Sequence, residues 1–68
     1  MKITREFNKN EIAILKYIAD GKSDSYIAAQ INTSVQTVRY WVAKLLSTFD
    51  ADNRTHLAAQ ALRNKVIK

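Results

Sequence analysis

The sequence predicts an all-α domain of four short helices, with the second and third joined by a tight turn. Apolar residues recur at spacings of three and four in separate stretches rather than alternating as in strands. Each stretch follows a residue whose side chain can cap a helix: Asn8, Ser23, Ser34 or Asn53. The stretch from Ser25 to Phe49, hinged at Asn32-Thr33-Ser34, contains no Asp or Glu.

Met1 to Glu6 reads as a polar arm, expected to fray, ahead of a domain spanning 7–68. The first helix opens on Phe7-Asn8-Lys9-Asn10-Glu11-Ile12. Asn8 can cap, Glu11 stands where a capping box needs it, and Phe7 can staple against Ile12. This helix is expected to run to about Asp20, with Ile12, Leu15, Ile18 and Ala19 inward, and to end at Gly21 in a left-handed conformation. Ser23 caps the second helix, where Asp24 favours the positive dipole end and Ile27, Ala28 and Ile31 face the core.

The third helix covers 34–49. Val35, Val38, Val42, Leu45 and Phe49 fall on one side with Leu46, and Trp41 lies at its edge. Gln36, Tyr40, Ala43, Lys44 and Ser47 fan across the other side, flanked by Thr37 and Arg39. After Asp50-Ala51-Asp52, Asn53 caps a fourth helix expected to reach about Val66. That helix has two apolar stripes: Leu57, Ala58 and Ala61, and separately Ala59, Leu62 and Val66. A four-helix core needs one of them, so the second is a candidate partner surface.

Composition narrows the chemistry. A chain of 68 residues makes one domain and buries only about 60% of its unfolded surface. Without cysteine it has neither disulfides nor a zinc-thiolate site. No apolar run approaches the roughly 18 residues of a membrane span, and the N-terminus lacks the apolar core of a signal peptide, so a cytoplasmic location is expected. One histidine, no glycine-rich phosphate loop and no obvious carboxylate pair argue against an enzyme, and no metal or cofactor is implied. The formal net charge is +5, and Glu6, Glu11, Asp20 and Asp24 all precede Ser25. The positive field therefore belongs to the second half of the chain and favours a polyanionic partner. A short helix, a turn and a longer acid-free helix suit a helix-turn-helix that lays its second helix on duplex DNA.

These residues resemble the LuxR/GerE-type helix-turn-helix domain of bacterial transcription regulators. Phe7-Asn8-Lys9-Asn10-Glu11 is similar to that family's Leu-Thr-x-Arg-Glu opening, and Ile18-Ala19-Asp20-Gly21-Lys22-Ser23 to its Ile-Ala-x-Gly-Lys-Ser, with Ile27-Ala28 following. Ser34, Thr37, Val38 and Arg39 match the start of its recognition helix, and Asn53-Arg54-Thr55 the opening of its last. The sequence departs from the pattern at Tyr26, Thr33, Trp41 and Thr48. A region-4-like sigma-factor domain shares the helix-turn-helix, but Gly21-Lys22-Ser23 and Asn53-Arg54-Thr55 favour the LuxR type.

The resemblance implies a homodimer on a two-fold symmetric site, with the third helix in the major groove. It places Arg39, Tyr40 and Ala43 near base edges, and Ser34, Thr37, Lys22 and Ser23 near phosphates. It assigns the dimer contact to the last helix, which fits Ala59, Leu62 and Val66. Most relatives carry a receiver or ligand-binding domain, so a chain of this length is expected to be a stand-alone regulator.

Several residues admit two readings. Arg39 can grip guanine O6 and N7, or serve as a phosphate anchor or solvated charge. Gln36 and Tyr40 can bond to bases or stand by, and Ala43 can touch a thymine methyl or merely admit the backbone. Lys44, on the exposed face, is expected at phosphate. Trp41 is expected to pack, and His56 to sit at the surface or in a cap. Arg54 opposes the dipole at the start of a helix, so an ion pair with Glu11 is expected. The rival to a DNA-binding regulator is an adaptor or antagonist that binds RNA polymerase or another regulator, leaving Arg39 and Lys44 dispensable.

Overall fold

The computed structural model describes residues 6–68, so Met1 to Arg5 of the expected arm lie outside the described residues. Among the described residues there are four helices and no strand: α1 (Lys9–Ala19), α2 (Asp24–Gln30), α3 (Val35–Thr48) and α4 (Arg54–Arg63).

Every helix starts on the polar side chain the sequence marks. Asn8, Ser23, Ser34 and Asn53 are extended and accept from the backbone N–H groups of Glu11, Tyr26, Thr37 and His56. The capping box of α1 is complete, because the Asn8 N–H also donates to Glu11 Oε1 at 3.0 Å. Each such cap is worth about 1 kcal/mol.

The ends share one device as well. Gly21, Asn32, Asp50 and Lys65 all have positive φ, between 52° and 76°. The next N–H in each case reaches back to the last turn: Lys22 to the Tyr17 carbonyl, Thr33 to Ala28, Ala51 to Leu46 and Val66 to Ala61, each at 2.9 Å. These are Schellman closures, which satisfy otherwise orphaned carbonyls. The fourth corrects a boundary, since α4 stops at Arg63 rather than about Val66. Beyond Lys65 the chain turns inward and buries Ile67.

The helices pack in two pairs, α1 with α4 and α2 with α3, with α3 also touching α1 and α4. Their shared core is Ile14, Leu15, Ile18, Ile27, Ala28, Val38, Val42, Leu45, Phe49, Leu57 and Ala61, closed by Ile67. The α1 face is rotated from expectation. Ile14 is fully buried, Ile12 is half-buried, and Ala19, at the helix end, is exposed. Phe7 stacks on Phe49 with ring centroids 5.4 Å apart, which ties the chain before α1 to the end of α3. Leu57 and Ala61 hold α4 down, while Leu62 stays 46% exposed.

Candidate nucleic-acid interface

Burial of Val38, Val42, Leu45 and Phe49 fixes the rotation of α3 and turns its other side outward. Gln36, Arg39, Tyr40, Ala43, Lys44 and Ser47 are exposed there, and Thr37 is half-buried. No carboxylate lies between Ser25 and Phe49, so this side carries only neutral and cationic groups of its own.

At the N-terminus of α3 the Ser34 hydroxyl accepts from the Thr37 N–H at 3.1 Å and lies 2.8 Å from Thr37 Oγ1. Two hydroxyls thus meet beside the positive end of a helix dipole, a setting that suits an anion. Along the same face, Lys44 Nζ stands 5.6 Å from the Tyr40 ring centroid and 5.2 Å from that of Trp41. The two rings meet edge to face. Tyr40 is 59% exposed, whereas Trp41 is half-buried against the core. Trp41 therefore packs, and its ring and that of Tyr40 offer Lys44 two π faces.

Lys22 and Ser23 are exposed just before α2. Lys22 lies over the Tyr26 ring, 4.9 Å from its centroid, and Tyr26 meets Tyr17 edge to face. The Ser23 hydroxyl is engaged as the α2 cap. The start of α2 is also joined to α3 through Asp24, whose Oδ2 lies 3.6 Å from Arg39 Nε.

Asp24 further corrects the reading of Arg54. The Arg54 guanidinium does not go to Glu11, whose carboxylate caps α1. It binds Asp24 Oδ1 through Nη1 and donates from Nη2 to the Lys22 carbonyl at 2.9 Å. The counter-ion that offsets a cation at the start of α4 therefore comes from the start of α2, thirty positions away in sequence. The sequence treats Asp24 as a dipole partner and gives no sign of this link. His56 does act in a cap, its Nδ1 accepting from the Asp52 N–H at 3.0 Å.

On α4, Leu62 is exposed and Ala59 is half-buried. Val66, half-buried, lies past the helix end rather than on its stripe. Among the described residues, no group of three or more His, Asp or Glu is placed to hold a metal, and no helix is long and apolar enough to cross a membrane.

The family model for bacterial regulatory proteins of the luxR family matches residues 6–61, which covers all of α1, α2 and α3 and most of α4. The chain belongs to the luxR family of bacterial regulatory proteins. It is a regulatory rather than an enzyme family. The chain is 34% identical over 59 residues to the transcriptional regulatory protein LiaR of Bacillus subtilis, a match covering 87% of this chain and 28% of that protein. It is 32% identical over 59 residues to the DNA-binding transcriptional activator EvgA of Escherichia coli K12, covering 87% and 29%. The chain thus spans less than a third of these relatives' length.

Proposed function

We propose that this luxR-family domain is a sequence-specific transcription regulator that binds double-stranded DNA as a homodimer, with α3 in the major groove. The observation that carries the reading is the outward side of α3. It is exposed, free of carboxylates, and presents Gln36, Arg39, Tyr40, Ala43 and Lys44 from a helix held by four buried residues. The kinship to a DNA-binding activator points the same way.

On this reading Arg39, Tyr40 and Gln36 address base edges, and Ala43 lets the helix seat closely against a thymine methyl. Ser34, Thr37, Lys44, Lys22 and Ser23 address phosphates and set the register of the helix in the groove. Ala59 and Leu62 of α4, with Val66 beyond its end, supply the contact between two copies. The work is done in the cytoplasm, at the nucleoid, and RNA polymerase or a second regulator is the further partner through which occupancy alters transcription.

The test is the salt dependence of binding to duplex DNA, followed by fluorescence anisotropy. If about six phosphates are neutralised, affinity should fall about 10³-fold between roughly 50 and 200 mM salt. Absence of binding at the low end would overturn the DNA reading in favour of an adaptor that binds protein.

A further inference from the structure

Asp24 is the acidic side chain that meets Arg39, and it is held from behind. Its carboxylate sits at the first position of α2, where the helix dipole favours it, and is 22% exposed. Arg54 grips one oxygen and anchors itself on the Lys22 carbonyl, so the carboxylate is fixed from the α4 side. The other oxygen faces Arg39 Nε at 3.6 Å, an ion pair longer than a hydrogen bond. Arg39 itself is 70% exposed. An unrestrained arginine would sample many rotamers at that exposure, and ordering it on DNA would cost affinity. Here a fixed anion lies on the Nε side, which leaves the terminal Nη1 and Nη2 pair as the open edge.

We propose that Asp24 is a specificity-determining positioning residue, braced by Arg54, that orients the Arg39 guanidinium for base readout and resists indiscriminate phosphate docking. The inference rests on the DNA-binding reading of α3. Two consequences follow from the one carboxylate. Guanine recognition through two N–H groups requires a set plane, which a neighbouring anion helps to impose. A negative charge beside an otherwise cationic surface also penalises any close approach that does not gain base contacts in return.

The test uses the full chain, a pool of randomised duplexes, and the sequence that the wild type enriches from that pool. The readout is the ratio of affinities for the enriched sequence and the unselected pool. Asp24→Asn should lower that ratio by about two- to fivefold, the range expected of an exposed ion pair, while binding to the unselected pool tightens. In an Arg39→Ala background the orienting effect is gone, so the same substitution should lower the ratio by less than it does in the wild type. A structural role for Asp24 would instead lower the ratio equally in both backgrounds, and that result overturns the proposal. Because Asp24→Asn also releases Arg54, Asp24→Glu provides a variant that keeps the charge. It should lower the ratio with little change in binding to the unselected pool, and an unchanged ratio would count against orientation. Failure of the wild type to bind any duplex would remove the DNA reading and this inference together.

Discussion

Arg39 and Lys44 share the outward side of α3 but stand in different surroundings, and the difference separates their expected roles. Arg39 has an anion beside Nε and an open terminal edge, whereas Lys44 lies over the rings of Tyr40 and Trp41 as a point charge. Arg39→Ala is therefore expected to flatten sequence preference, costing about 1–3 kcal/mol at one base position. Lys44→Ala should weaken all sequences alike and reduce the salt slope by about one. Binding to a randomised duplex pool, at two or more salt concentrations, distinguishes these outcomes. Arg54, which braces Asp24, also contributes to stability. Its link to Asp24 is partly exposed, so Arg54→Ala should cost about 1 kcal/mol, a drop of roughly 4–8 °C in Tm for a domain of this size. An unchanged Tm with weaker DNA binding would make Arg54 a phosphate contact. That Arg54 needs a counter-ion was legible from its place at a helix start. Which acid supplies it was not, because Glu11 and Asp24 are both remote in sequence and only the tertiary fold brings the start of α2 within reach of Arg54.

At the scale of the element, starts were legible and ends were legible only in part. A cap acts through a side chain and an N–H three positions on, so Asn8, Ser23, Ser34 and Asn53 announce themselves. A Schellman closure needs one left-handed residue, and only Gly21 advertises that conformation. Asn32 and Asp50 can tolerate it, while Lys65 adopts it where the chain turns inward to bury Ile67. The tertiary gain is visible in Ile67, buried just past Lys65 and unpredicted by any helical spacing. Ile14 was missed for a related reason. The α1 face is set by α4 on one side and α3 on the other, which periodicity within α1 does not report. If Asp50 holds φ of 52° against its preference, Asp50→Gly should stabilise the fold by about 0.5–1 kcal/mol. Chemical denaturation checks this through a raised midpoint at unchanged m-value. A lowered midpoint would mean that the Asp50 side chain contributes more than its backbone costs.

The described residues span 31 × 21 × 19 Å, close to the roughly 34–36 Å between successive half-sites on one face of DNA. On the proposed reading one copy would occupy one half-site, and a two-fold site would take a second copy alongside. The outward side of α3 is largely polar, so the groove reading leaves the exposed Leu62 on α4 unexplained. With Ala59 and Val66 only half-buried near it, the patch is small, and a dimer formed through it would be weak in free solution. On DNA the two half-sites raise the effective concentration, so even a weak contact contributes avidity. Leu62→Glu places a charge on that patch without entering the core, and the monomer should keep its helical content and thermal stability. Binding to a full two-fold site should weaken by on the order of 10²-fold, while binding to an isolated half-site should change little. Anisotropy on the two duplexes, with sedimentation of the complexes, gives both quantities. An unchanged two-copy complex would move the contact elsewhere. Weakening on the half-site as well would assign Leu62 to the DNA-facing surface.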